Sequence, residues 1–150
     1  MIQLTTNCEI KLRQGDHQTW INDPSLNNGM IDRCKSNFPY NTNITWNDVY
    51  VYDLFISSNS ISIGYAFYIM RQSHIELSSL EVLESEESKG YGSFLLDQTC
   101  KLIWERQKMS IHLLCPSGDK PDNRGFNRYQ WYLRHGFIGN PKSWMKKYPI

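Results

Sequence analysis

Three strand-like runs crowd the middle of this chain and end at one short segment, Glu87-Ser88-Lys89-Gly90-Tyr91-Gly92-Ser93, beyond which the apolar period changes. Asp48 to Ile56 and Ile61 to Met70 are rich in β-branched and aromatic residues. They flank the turn Ser57-Ser58-Asn59-Ser60, which predicts a hairpin. His74 to Leu83 predicts a third strand. From Tyr91 to Lys108, Tyr91, Leu95, Leu102 and Ile103, with Phe94 beside them, recur at helical spacing and predict a core-facing stripe. Two glycines one residue apart, at a strand-to-helix turn, remove the Cβ atoms that would keep a bulky group off the backbone. The N–H groups of the first helical turn and the positive end of the helix dipole then favour an anion at that turn.

Neighbouring residues limit which anion site this is. No Gly-Lys-Ser/Thr follows the glycines, so it is not a Walker loop. A dinucleotide fingerprint would place a third glycine near position 95, which is Leu95. The four cysteines (Cys8, Cys34, Cys100, Cys115) are scattered without Cys-x-x-Cys or Cys/His spacing, which predicts free thiols and no metal. A net charge of +1 gives no strong field toward nucleic acid or a membrane surface. Met1-Ile2-Gln3-Leu4-Thr5-Thr6 has neither the basic nor the apolar region of a secretory signal. No apolar run reaches the ~20 residues of a membrane span. A cytoplasmic protein is expected.

The remaining elements follow from local pattern. Residues 2–12 alternate apolar and polar and predict a first strand. Asp16 to Ser36 reads as an interrupted helix restarting at Pro24 behind Asp23, and Asn37 to Asn47 as a loop. Ile111 to Cys115 predicts a short buried strand ended by Pro116-Ser117-Gly118. Asn123 to His135 predicts a helix ended by Gly136, and Phe137-Ile138 and Ser143 to Tyr148 predict the last strands. The order is β-α-β-β-β-α-β-α-β with no linker, so residues 1–150 are expected to form one α/β domain with a mostly antiparallel start.

With these motifs in place, the chain resembles the GNAT N-acetyltransferases. Leu80-Glu81-Val82-Leu83 followed by Glu87-Ser88-Lys89-Gly90-Tyr91-Gly92-Ser93-Phe94-Leu95-Leu96 is similar to the family's acetyl-CoA motif, a strand end, a short loop, Gln/Arg-x-x-Gly-x-Gly/Ala and a Leu-rich helix. Tyr132-Leu133-Arg134-His135-Gly136-Phe137 is similar to its Tyr-x-x-x-Gly-Phe element. Ile63-Gly64-Tyr65-Ala66 is similar to the strand before the motif. The order and spacing of the three match. Glu87 stands where the family has Gln or Arg, and Gly125 where an asparagine often precedes the tyrosine.

The resemblance implies a mixed, mostly antiparallel twisted sheet flanked by helices, with a V-shaped splay between strands 4 and 5. It implies direct transfer of acetyl from acetyl-CoA, the co-substrate, to a primary amine in a ternary complex. Residues 88–93 would hold the pyrophosphate and Leu80, Glu81 and Val82 the extended pantetheine, so that Glu87, Ser88, Lys89, Gly90, Tyr91, Gly92 and Ser93 line the cofactor site. Glu76, fourteen residues before Gly90, matches the base glutamate of the histone-acetylating branch. Glu81, Glu84 or a water are its alternatives. Tyr132 would protonate the departing thiolate, and a backbone N–H near Val82 would stabilise charge on the carbonyl oxygen.

The acidic stretch Glu76, Glu81, Glu84, Glu86, Glu87 suits a cationic acceptor, a small-molecule amine or a protein lysine. A catalytically inactive CoA-binding or protein-interaction domain is the competing reading. Acetylation of aminoacyl-tRNA would need a basic face, and only Lys142, Lys146 and Lys147 cluster. The aromatic end, with Trp144 and Tyr148, suits a homodimer.

Overall fold

A computed structural model describes residues 8–13, 48–56, 62–83 and 90–150. These form β1 (Cys8–Leu12), β2 (Val49–Ile56), β3 (Ser62–Met70), β4 (Ile75–Val82), α1 (Tyr91–Arg106), β5 (Ile111–Leu114), α2 (Arg128–Arg134), β6 (Ile138–Gly139) and β7 (Trp144–Lys147). The seven strands make one sheet in the order β1-β2-β3-β4-β5-β7-β6. Every neighbouring pair is antiparallel except β4–β5. That exception follows from the chain, because α1 carries it from one end of β4 back to the start of β5, the crossover that parallel pairing requires. The expected interrupted helix over 16–36, the hairpin turn at 57–60 and Cys34 lie outside the described residues.

Both faces of the central strands are buried, which is why β2 and β3 read as nearly continuous apolar runs. On one face Tyr52, Leu54, Ala66, Tyr68, Leu77 and Val82 pack with Tyr91, Leu95, Leu96, Cys100 and Ile103 of α1. The helix therefore buries Leu96, Thr99 and Cys100 where the sequence pattern had placed Phe94 and Leu102, which are only half-buried. Burial pushes the Cys100 thiol up to about 12, so it stays protonated and inert. On the other face Val49, Val51, Tyr65, Phe67 and Ile69 are buried. The buried Asp53 carboxylate on that face pairs with Arg13 at 2.5 Å and accepts from the Ser62 hydroxyl at 3.2 Å.

Two irregularities shape the cleft described below. The β3–β4 register runs Tyr68–Leu77 and then Phe67–Ser79, so Ser78 is an extra residue bulging from β4. The β4–β5 ladder has two pairs, Ile75–Ile111 and Glu76–His112, and goes no further. Beyond Glu76 the two strands part, which is the splay expected between strands 4 and 5.

The expected helix over 123–135 is shorter. The Asp122 carboxylate accepts the N–H groups of Arg124 (2.8 Å) and Phe126 (3.0 Å), and Gly125 sits at φ +82°. This side-chain turn competes with helix hydrogen bonding and wins. The helix starts only after Asn127, whose side chain accepts from the Gln130 N–H at 3.0 Å as its N-cap.

Candidate active site

The site lies where β4 and β5 part and α1 begins. Gly90 precedes α1 at φ +86°, a conformation that costs a residue with a Cβ about 1–2 kcal/mol. Among the described residues no side chain caps the N-terminus of α1, and its first turn carries no acidic residue. The N–H groups there keep their capacity for an external acceptor. Glu87, Ser88 and Lys89 lie outside the described residues. The Tyr91 ring is buried in the core, so only its backbone is available at this turn.

A cavity of about 320 Å³ opens beside this turn, lined by Gly90, Gly92 and Ser93 and by Leu80, Glu81 and Val82 of β4. Six of the predicted cofactor residues thus share one wall. The rest of the lining was not foreseen: Arg124, Phe126, Arg128 and Trp131 complete it. Arg128 lies over the Phe126 ring at 5.8 Å. Two arginines, Arg124 with its guanidinium 4.0 Å from the Asp122 carboxylate, and a helix N-terminus beside one cavity suit a phosphate-bearing ligand. The only sequence signal for the arginines was their place just before the Tyr-x-x-x-Gly-Phe element.

A second cavity, of about 160 Å³, fills the splay itself. It runs between Leu77–Glu81 of β4 and Leu113 and Leu114 of β5, with Tyr132 at its wall. Leu80, Glu81 and Arg128 line both cavities, so the two meet there. Burial raises the Tyr132 phenol above its ordinary range, while the hydrogen-bonded Arg128 pulls the other way. Gly64 keeps this wall in place: a Cβ on it would fall 2.8 Å from the Glu81 carbonyl oxygen. Gly64→Ala is expected to force β3 and β4 apart at Glu81, with a loss of about 1–3 kcal/mol in urea unfolding. A midpoint equal to wild type would show that the strands yield freely.

Glu76 stands apart from Tyr132. It alternates with Ile75 and Leu77, so it faces the other side of the sheet and does not line the Tyr132 cavity. Its Oε1 pairs with the Arg71 guanidinium at 3.0 Å, and its Oε2 accepts from the Ser78 hydroxyl at 2.8 Å. The bulge residue thus holds the carboxylate.

His74, His112 and His135, which no sequence spacing connected, have partners, and His17 lies outside the described residues. His135 Nδ1 lies 2.8 Å from Asp97 Oδ1 and Nε2 lies 3.1 Å from Ser93 Oγ. The Trp131 indole donates to the same hydroxyl at 2.7 Å. His74 and His112 stack at 4.1 Å beside Glu76, and burial and that neighbour lower the His112 pKa. Cys115 is buried, with its thiol directed to the Ser117 carbonyl at 3.5 Å. Among the described residues no group of three or more His, Cys, Asp or Glu is placed to hold a metal ion. None of their helices is long and apolar enough to cross a membrane.

No protein-family model matches the sequence, and no curated protein matches it. Solved structures do match the fold. One is a Klebsiella pneumoniae chain provisionally assigned as an acyl-CoA N-acyltransferase, with TM-score 0.60 at 10% identity over 97% of this chain and 99% of that one. Another is the PaiA N-acetyltransferase of Thermoplasma acidophilum in complex with coenzyme A, with TM-score 0.54 at 15% identity over 93% and 99%. A third, from Bacteroides thetaiotaomicron, is provisionally assigned as a GNAT-family acetyltransferase, with TM-score 0.55 at 13% identity over 93% and 88%. The fold of this chain is the GNAT acetyltransferase fold.

Proposed function

We propose that this protein transfers acetyl from acetyl-CoA to a primary amine by direct attack in a ternary complex. The observation that carries the proposal is the meeting of the two cavities at Leu80, Glu81 and Arg128. A ligand with phosphates at one end and a reactive group at the other can occupy both. The residues present fit coenzyme A. The N–H groups of Gly90, Tyr91, Gly92 and Ser93 would hold the diphosphate, and Glu87, Ser88 and Lys89 of the same motif are proposed beside them from the sequence alone. Arg124 and Arg128 add cations, and Leu80, Glu81 and Val82 run beside the amide-rich arm. Acetyl-CoA supplies the activated acyl group.

The chain's own groups do the rest. Glu76, on the far face of β4, takes a proton from an approaching ammonium, directly or through water. Tyr132 donates to the sulfur as it leaves, and Arg128 holds the phenol and adds positive charge beside that sulfur. The acceptor is a cationic small molecule or a protein lysine, drawn by Glu76 and Glu81. Localisation in the cytoplasm, where acetyl-CoA is used, fits this chemistry. The ion pair between Glu76 and Arg71 supports one other reading, a domain that binds CoA without turning it over. Trp144 and Tyr148, 47% and 55% exposed, support a homodimer through the last strand, and a single-chain mass by sedimentation would remove that part.

Calorimetry of acetyl-CoA binding tests the proposal. Wild type is expected to bind with a micromolar constant, about −8 kcal/mol. Gly90→Val is expected to weaken binding at least tenfold, because a β-branched residue at φ +86° must move the turn. Thiol release with a panel of amines then separates catalysis from binding alone. No binding by wild type would end the assignment.

A further inference from the structure

The Ser93 hydroxyl sits in a chain of donors and acceptors that can be followed atom by atom. An indole nitrogen only donates, so Ser93 Oγ accepts from Trp131 Nε1 at 2.7 Å. A carboxylate only accepts, so the Nδ1 that faces Asp97 at 2.8 Å carries a proton. In the neutral ring Nε2 is then an acceptor, and the Ser93 hydroxyl spends its one hydrogen on it, at 3.1 Å. In this state Ser93, although it lines the large cavity, has no hydrogen left for a ligand.

Protonation of His135 reverses that assignment. The imidazolium carries hydrogen on both nitrogens, so Nε2–H now donates to Ser93 Oγ. The serine oxygen then accepts from both Trp131 and His135, and its own hydrogen is released toward the cavity. One proton enters from solvent, and no covalent bond between heavy atoms changes.

We propose that His135 and Asp97 are positioning residues that make Ser93 a donor to the ligand's phosphate, so that anion binding at the start of α1 takes up one proton at His135. This rests on the diphosphate reading above. Among the described residues the Asp97 carboxylate on α1 lies against the ring, and Lys147 on β7 lies beside the next residue, Gly136. The Lys147 ammonium lies over the Phe137 and Trp104 rings and beside Gly136. Asp97 accepts from Nδ1 of the ring, and the arriving phosphate would lie on the other side of Ser93. The same three residue types form the hydrolase triad. Here the indole N–H already occupies the serine oxygen at 2.7 Å, which lowers its nucleophilicity and favours the binding role.

The test is calorimetric titration of coenzyme A into the full chain between about pH 5 and 8, the range in which histidine changes charge. Buffers of differing ionisation enthalpy give the number of protons taken up. Wild type is expected to take up close to one proton more than His135→Gln. Its affinity is then expected to fall with rising pH by up to tenfold per unit relative to that variant. Titration of the ligand's own phosphate is common to both proteins and cancels in the difference. Asp97→Asn, which keeps the side-chain shape, is expected to lose the uptake as well and serves should His135→Gln fold poorly.

Equal uptake in wild type and both variants, with coenzyme A bound, overturns this proposal alone. Full uptake retained in Ser93→Ala also overturns it, because the coupling would then run through space and not through the hydroxyl. Absence of binding by wild type at every pH overturns both this proposal and the diphosphate reading.

Discussion

Acetyl transfer by Tyr132→Phe is expected to fall about 100- to 10,000-fold in turnover, the usual contribution of a positioned proton donor, while acetyl-CoA affinity stays within twofold or so of wild type. The phenol is buried at the wall of the splay cavity, where the sulfur of a bound thioester would sit. Removing its oxygen leaves the ring, and so the packing against Phe137 and Trp131, in place. The loss therefore falls on turnover and not on folding. Steady-state rates with free-thiol detection, beside calorimetric binding, separate the two.

Because burial raises the phenol pKa, the proton it would donate is present throughout the neutral range. The sign follows: a donor with a raised pKa loses its proton only at higher pH. The turnover profile is therefore expected to show no descending limb from this group below the ordinary tyrosine range. Unchanged turnover in Tyr132→Phe would move proton donation to water and leave Tyr132 as a packing residue.

Phe137→Ala is the substitution expected to cost the most stability, about 3–5 kcal/mol in urea or thermal unfolding. Phe137 is fully buried, and its N–H donates to the Tyr132 carbonyl at 3.1 Å. Its ring centroid lies 6.0 Å from that of Tyr132, and Lys147 lies over its other side. A cavity there removes the floor under α2, so activity is expected to fall together with stability. Phe137→Leu, which keeps most of the volume, is expected to cost less than about 1.5 kcal/mol. An unfolding midpoint for Phe137→Ala within error of wild type would show that α2 is held by its cap and not by this ring.

The two residues differ in how they could be read. Phe137 follows Gly136 in a Tyr-x-x-x-Gly-Phe pattern that stands in the sequence itself, and the glycine adopts the left-handed conformation expected at a helix end, φ +91°. Tyr132 was legible as part of the same pattern. Arg128 stands one turn before it in the expected helix as in the observed one, so that pair was within reach of the sequence, whereas the place of Arg124 and Phe126 was not. The pattern of residues 123–135 suggested one helix. The Asp122 side chain captured two backbone N–H groups and delayed the start to Arg128, which turned Arg124 and Phe126 into a loop wall of the large cavity.

Elements whose identity depends on local chemistry were readable from the chain alone. Period-2 and near-continuous apolar runs gave the strands, period 3.6 gave α1, and Gly90 marked the turn before it, whose positive φ the structure then supplied. The parallel β4–β5 pair followed from α1 lying between them. The resemblance implied a splay there, but the tertiary structure alone decided where the pair stops, after two residue pairs, and hence where the cleft opens. It alone joined His135 to Asp97 across 38 residues of sequence, and Ser93 to His135 across 42. The physical reason is range. Dihedral preference and side-chain period act over a few neighbouring residues, whereas the meeting of α1 with α2 is fixed only once a shared core has placed both helices against the sheet.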